Sequence, residues 1–290
     1  MGREVIRLGT RKSRLAMVQA ELAAAAIRKA ASGVEIELVP LVTTGDKILD
    51  RSLVEFGGKG VFIDEFELAI ADGRIDAAVH SAKDMPACLM DGLSIAAVLK
   101  REDPRDVFVT AKKRETCHSP FVIGTGSLRR QLQIAERKDG VCRLLRGNVN
   151  TRLEKLFSGE YDAVILAAAG LKRLGLLEDE RFSFEFLPET EFVPAGGQGI
   201  IALESRKDSR WQEVFDRIND REAFVSLLAE RKVLSLLSAG CNAAVGVYSW
   251  REGGEFHMKL MREEGGRPVY TAVSGQESDY EALAASLIDR

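Results

Sequence analysis

The 290-residue chain is short of aromatics, at 7%, and has no excess of either charge, with 41 Lys and Arg against 44 Asp and Glu and a formal net charge of −3. A nucleic-acid binder usually carries a basic excess or a basic stripe with stacking aromatics, so that class is excluded. The four cysteines (Cys88, Cys117, Cys142, Cys241) lie far apart with no C-x-x-C pair, and only three histidines (His80, His118, His257) accompany them. Zinc-ligand spacing is therefore absent, and the thiols read as buried or incidental reduced groups of a cytosolic protein. The apolar runs around residues 23–27 and 163–171 are too short to cross a bilayer. The opening MGREVIRLGTRKS becomes charged at once and has no apolar stretch of a signal peptide. No G-x-x-x-x-G-K-[ST] phosphate loop occurs. No heptad run or large apolar stripe argues against a monomer. These absences leave a soluble, cytoplasmic metabolic enzyme with neither nucleic acid nor membrane as partner.

What is present is a sizeable core and an alternating grammar. At 46% hydrophobic content the length suggests roughly two or three domains. Residues 5–8 read as a strand, 9–13 as a turn, and Leu15, Val18, Leu22 and Ile27 line one side of an Ala-rich helix. Strand 35–42, helix 61–71 and a compact strand 75–79 follow. The pattern breaks at REDPR (101–105) and restarts with strands at 121–124, 141–145 and 161–168. Helices are expected over 128–138 and 151–157, and another opens at 170–174. This alternation predicts mostly parallel sheets covered by helices. Gly9-Thr10 and Gly124-Thr125 each follow a strand and precede an amphipathic helix, with a serine and an arginine close by. Two similar lobes facing a cleft are the economical reading. The glycine-rich 194–199 leads into a strand, 200–204, expected to return to the first lobe. From Asp220 a long helix, three alternating strands and a final helix near 280–288 predict a small α+β domain. The fold class is thus α/β, with lobes at 1–99 and 100–194, a returning segment 195–219 and an α+β domain 220–290.

Ligands of open α/β sheets sit beyond the carboxyl ends of strands, where helix N-termini favour anions. Arginines cluster at those places. Arg11 follows the first strand, Arg129 and Arg130 follow strand 121–124, Arg146 and Arg152 flank Gly147-Asn148, and Lys172-Arg173 follow strand 161–168. The macrodipole disfavours cations there, so a polyanionic ligand is expected to compensate them. Gly57-Gly58-Lys59-Gly60 fits a mobile lid carrying one lysine, or else a surface turn. Lys83-Asp84, close behind strand 75–79, could face a developing cation, but spacing alone fits a structural ion pair equally well.

Nine motifs, in order over nearly all of the first 246 residues, resemble those of the porphobilinogen deaminase family. They are RLGTRKS (7–13), FGGKGVF (56–62), AVHSAKDMP (78–86), REDPRDVF (101–108), GTGSLRRQ (124–131), LRGNVNTRL (145–153), YDAVILAAAGLKRLG (161–175), PAGGQGIIALE (194–204) and AGCNAAVG (239–246).

The resemblance implies three domains, the first two like type II periplasmic-binding-protein lobes. It implies condensation of four porphobilinogens with ammonia release, on a dipyrromethane cofactor held by a cysteine thioether, which falls on Cys241. Lys83, Asp84, Thr125, Ser127, Arg129 and Arg130 would hold that cofactor. Arg11, Ser13, Lys59, Arg146, Arg152 and Arg173 would hold porphobilinogen or the growing oligopyrrole. Asp84 would be the catalytic carboxylate, with Lys83 beside it, facing pyrrole N–H groups as an azafulvene electrophile is attacked; no metal is implied. The chain departs from the family pattern at Arg14, Gly126, Ala239 and 242–244, which concern loop shape rather than charge. Two other readings compete: a two-lobed receptor for a small anion, which leaves Cys241 and Asp84 without a task, and a relative that binds pyrroles without turnover.

Overall fold

The computed structural model describes residues 4–42, 64–86, 88–112, 117–238 and 244–289. Lys59 with its glycine-rich loop, and Cys241 with residues 239–243, lie outside the described residues.

Strand β1 (Glu4–Arg11) lies between β2 (Val34–Leu41) and β3 (Ala77–Ser81), both parallel to it. Ile6, Leu8 and Thr10 are fully buried, as a central strand covered on both faces requires. Ser13 caps helix α1 (Arg14–Ala30), its Oγ accepting from Ala16 N at 3.3 Å. The buried face of α1 differs from the expected one. Ala20, Ala23, Ala24 and Ile27 are fully buried while Leu22 is 43% exposed. The i, i+3, i+4, i+7 row of small residues lets the helix approach the sheet closely, where a leucine row would stand it off. Helix α2 (Asp64–Ala71) covers the other face through Phe66, Ala69 and Ile70.

The first sheet has the order β2-β1-β3-β10-β4, with β4 at Leu93–Val98 and β10 at Ile201–Arg206. The second has the order β7-β6-β8-β5-β9, from β5 (Asp106–Ala111), β6 (Val122–Gly124), β7 (Val141–Arg143), β8 (Ala163–Ala167) and β9 (Phe182–Leu187). Position by position these are the same order. In each, three strands run parallel, and a fourth, β10 or β5, pairs antiparallel on both sides. The sheets are therefore mixed rather than mostly parallel. The reason is that the chain crosses between lobes twice, and the first strand after each crossing enters its sheet from the opposite end. β10 belongs to the first sheet, as expected of the returning strand. The Gly-Thr pairs at 9–10 and 124–125 end the topologically equivalent strands β1 and β6. Ser127 caps α3 (Leu128–Ala135) as Ser13 caps α1. The second lobe adds α4 (Val149–Phe157) and α5 (Ala168–Arg173), and α6 (Gln212–Ile218) returns to α1 with Trp211 and Phe215.

The two crossings lie side by side: Leu99 N donates to Ile201 O and Glu102 N to Gly199 O. Helix α7 (Arg221–Leu236), the antiparallel strands β11 (Gly246–Glu252), β12 (Glu255–Glu264) and β13 (Arg267–Gly275), and α8 (Tyr280–Ile288) form the predicted α+β unit. It is fastened to the crossings by the fully buried Glu230, which takes Arg101 Nη1 at 2.6 Å, Gly197 N at 2.7 Å and Ser249 N at 2.9 Å. No described helix is long and apolar enough to cross a membrane.

Gly199 has φ +92°, and a Cβ there would run into the Glu102 carbonyl oxygen. Gly199→Ala is therefore expected to lower the unfolding free energy by at least about 2 kcal/mol, read from urea denaturation midpoints at unchanged slope. An unchanged midpoint would show that the crossing tolerates a side chain.

Candidate functional site

The carboxyl ends of β1 and β3 meet at a cavity of about 90 Å³ lined by Arg11, Ser13, Gln19, His80, Ser81 and Asp84, with Leu15, Ala16 and Val79. Three of the sequence-derived site residues, Arg11, Ser13 and Asp84, are thus brought together. β3 runs directly into a 3-10 turn, Ala82–Asp84, which buries Ala82, half-buries Lys83 and leaves Asp84 exposed at the mouth. The described residues alone do not make a dry pocket around Asp84.

Lys83 Nζ donates to Gln198 Oε1 at 3.2 Å, and Gln198 Nε2 donates to Asp106 Oδ1 at 3.0 Å. Asp106, at the start of β5 and fully buried, faces Arg129 Nη2 at 2.7 Å and Arg130 Nη2 at 2.7 Å. Arg129 also donates to Val193 O at 2.7 Å, and Arg130 to Ile165 O at 2.8 Å. Burial alone would raise the Asp106 carboxyl, but the two guanidiniums overcome it and hold it well below the ordinary range. Expecting a ligand to compensate Arg129 and Arg130 thus left out an internal partner, because a carboxylate one strand away already does part of that work.

The remaining cations are less well matched. Burial pushes the Lys83 ammonium from 10.5 down to about 8, with Asp84 and Asp106 opposing and Arg130 and Arg129 assisting the shift. Burial, then Arg130 and Arg146, lowers Arg152 to about 10, against the pull of Asp84. Arg152 Nε donates to Gly147 O at 2.7 Å, and the Arg146 Nε is buried without a hydrogen-bond partner among the described residues. Among the described residues, five cations (Lys83, Arg129, Arg130, Arg146, Arg152) therefore face two carboxylates (Asp84, Asp106) in one electrostatic neighbourhood drawn from both lobes. A surplus of this kind is a site for an anion bearing several charges.

Other expected residues sit differently. Thr125 is buried, with its Oγ1 accepting from Ser127 N at 3.2 Å, and Ser127 Oγ accepts from Arg130 N at 3.5 Å; both side chains shape the turn that presents the arginines. Arg173 donates to Gly199 O at 2.6 Å and lies in the field of Glu102, at the crossing rather than among the five cations. Lys172 and Arg173 occupy the last turn of α5, where the macrodipole favours cations, so they do not oppose it as the sequence reading assumed. Arg14 is the first residue of α1, a position where proline and other residues are interchangeable because its N–H has no helical partner.

Sequence reasoning missed Gln19, Asp106 and Gln198. Gln19 is buried at 4% exposure on the inward face of α1 and exchanges hydrogen bonds with Ser81 Oγ at 2.8 and 3.1 Å. Its signal was a lone amide within an otherwise alanine-lined face. For Asp106 the signal was an acid immediately before the apolar run 107–109.

With Lys83 at about 8, acylation of its amine followed by peptide mass mapping should reach half its maximal rate near pH 8. Asp84→Asn removes a carboxylate that raises this value, so the half-maximal pH should fall further. A midpoint above about 10, the ordinary lysine range, would show that burial does not act on this group.

Among solved structures the chain is similar to the periplasmic VFT2 domain of Bordetella pertussis BvgS (12% identity, 82% of this chain and 94% of that chain covered, TM-score 0.44). It is also similar to the BenM effector binding domain with its effector benzoate (13%, 82% and 95%, TM-score 0.42). A third similar structure is the putative periplasmic sulfonate-binding protein SsuA from Methylobacillus flagellatus KT (13%, 79% and 67%, TM-score 0.41). The family model described as "Porphobilinogen deaminase, dipyromethane cofactor binding domain" matches residues 6–214, most of the chain and all the residues that build the described site. The chain belongs to the porphobilinogen deaminase family.

Proposed function

We propose that this protein is a hydroxymethylbilane synthase, which condenses four porphobilinogens head to tail with release of ammonia on a dipyrromethane cofactor bound covalently through Cys241. The observation that carries this reading is the surplus of cations drawn from two lobes around Asp84. The residues fit the cofactor: dipyrromethane carries carboxylate side chains, and Lys83, Arg129, Arg130, Arg146 and Arg152 offer more positive charge than Asp84 and Asp106 offset. The buried Arg146 Nε, without a hydrogen-bond partner among the described residues, adds a donor for such a carboxylate. Bound, the cofactor supplies a pyrrole carbon nucleophile to which the substrate's methylene is joined.

The chain's own groups divide the work. Asp106 and Gln198 fix Arg129, Arg130 and Lys83, which hold the cofactor carboxylates, with Thr125 and Ser127 shaping the turn beneath. Arg11 and Ser13 sit across the cavity from Asp84 and bind the acetate or propionate of the incoming pyrrole, while Arg146 and Arg152 take those of the growing chain. Lys59, outside the described residues, is assigned to the substrate on the family resemblance alone, and Arg173 serves the site from the crossing. Asp84 faces the pyrrole nitrogens and stabilises the positive charge that develops there, an effect that strengthens once ligand excludes water from the mouth. The domains implied by the family, lobes at 1–99 and 100–194 with 195–219 returning and 220–290 carrying Cys241, accompany this reading, as do a cytoplasmic location and a monomer.

Intact-protein mass spectrometry tests it. The protein should carry a covalent dipyrrole adduct, and Cys241→Ala should show the bare chain mass. A bare mass in the unaltered protein, made by cells that synthesise porphobilinogen, would favour a receptor for small anions. Asp84→Ala should stay folded, keep the adduct and lose about 10²-fold or more in turnover of porphobilinogen to ammonia. Normal turnover in that variant would remove its catalytic role.

A further inference from the structure

His80 and Glu204 form a buried ionisable pair that the account above does not use. His80 precedes the Ala82–Asp84 turn by two residues, lines the cavity with Arg11, Ser13, Gln19 and Asp84, and is 8% exposed. Glu204 lies on the adjacent strand β10, diagonal to it in the antiparallel register that sets Ala202 opposite His80. Its Oε2 stands 3.0 Å from His80 Nε2, it is fully buried, and its Oε1 has no hydrogen-bond partner among the described residues. Phe66 of α2 meets the imidazole edge-on at 5.3 Å, closing the apolar side.

We propose that the His80–Glu204 pair is a proton donor and store for the bond exchange at this site, working beside Asp84; this rests on the functional reading above. Among the described residues, Arg11 at the end of β1 and Asp84 in the turn line the same cavity, Lys83 precedes Asp84, and the helix that carries Phe66 also holds Glu65 and Glu67, the last accepting from Met90 N at 2.9 Å. Holding one proton, the pair is neutral, the form a buried site tolerates best. A second proton would add positive charge to a cavity that already contains Arg11 and adjoins Arg152. Loss of the proton instead places one negative charge facing those cations.

That asymmetry matches the chemistry. When the C–N bond of porphobilinogen breaks, its electron pair leaves on nitrogen, and an aminomethyl group bound among these cations as the free amine needs one proton to depart as ammonia. When the new C–C bond forms, the attacked pyrrole carbon must lose one proton as its C–H pair returns to the ring. One proton is given and one regained per ring, so the pair ends each addition as it began and no further reactant is consumed. Asp84, exposed and opposite, carries the complementary role of facing the ring's positive charge. Two carboxyl groups in contrasting surroundings thus take different tasks.

The test uses the full chain carrying its adduct. Glu204→Gln keeps a hydrogen-bonding partner for the imidazole but removes the proton-sharing carboxylate. It should lower kcat about 10²-fold, leave KM within about threefold, and displace the pH dependence of kcat. A second readout is independent of turnover. With only three histidines in the chain, the ring nitrogens of His80 can be followed by ¹⁵N NMR, and their titration midpoint should move by about one pH unit or more in Glu204→Gln. The double variant His80→Gln/Glu204→Gln replaces the pair by an amide–amide contact, and serves if the single variant is poorly folded. It should bind the dipyrrole normally by mass and match the single variant's loss of kcat. A parent that turns over porphobilinogen, alongside variants with unchanged kcat, pH profile and His80 titration, would overturn the proton store alone. A parent with neither adduct nor turnover would overturn the functional reading itself.

Discussion

Asp106 is the charge on which the rest of the site depends. A carboxylate with no exposed surface would cost several kcal/mol to bury alone. Here it is matched by two guanidiniums and an amide, all within 3.1 Å. The dependence is mutual. Arg129 and Arg130 are 3% and 7% exposed in the first turn of α3, a place that disfavours cations, and without Asp106 they would be buried charges at an unfavourable helix end. Because Asp106 begins β5, the first strand after the chain leaves the first lobe, the position of the arginines is set by where that crossing ends.

The second crossing completes the arrangement. Gln198 is one residue with three attachments: its amide nitrogen reaches Asp106 and Pro104 O, and its amide oxygen takes Lys83 from the first lobe. Its own carbonyl takes Arg101 Nε, and Arg101 in turn holds Glu230 of the third unit. A continuous line of charge-assisted hydrogen bonds therefore runs from α7 through both crossings to the cations of both lobes. Such bonds are short and directional, so the line fixes relative positions more tightly than apolar packing would. The cores of the lobes pack separately, and the polar line is what makes one site of two halves.

Much of this was legible in the chain. Period-3.6 and β-branched patterns located α7, α8 and the three strands of the small sheet to within a few residues, because each has an apolar face and turns at both ends. The repeated Gly-Thr turn pointed to two lobes, and its two copies do end equivalent strands. What escaped were β4, β5, β9 and α6. Strand β5 follows the charged REDPR segment directly, with no turn residue between, so its start was hidden. A strand that enters a sheet from the far end leaves no mark on local periodicity, which is why the mixed pairing was missed. The same limit applies to the site. Residue type and strand-end position picked out Arg11, Arg146 and Arg152, and the family resemblance added Ser13 and a role for Lys83 and Asp84, but an arginine's sequence context does not reveal a carboxylate 24 residues away, as Arg130 has in Asp106.

The unequal treatment of the cations follows from this division. Arg129 and Arg130, nearest the crossings, are partly neutralised from within by Asp106 and held in place by it. Arg146 and Arg152, on the α4 side, and Lys83 keep a surplus over the described carboxylates around them, and burial together with the neighbouring guanidiniums lowers the proton affinity of Lys83 and Arg152. A carboxylate arriving at Lys83 reverses the effect, since an opposite charge favours the ammonium form. Ligand binding near pH 8 must then draw in a proton, and the affinity of the site must weaken as alkali removes it.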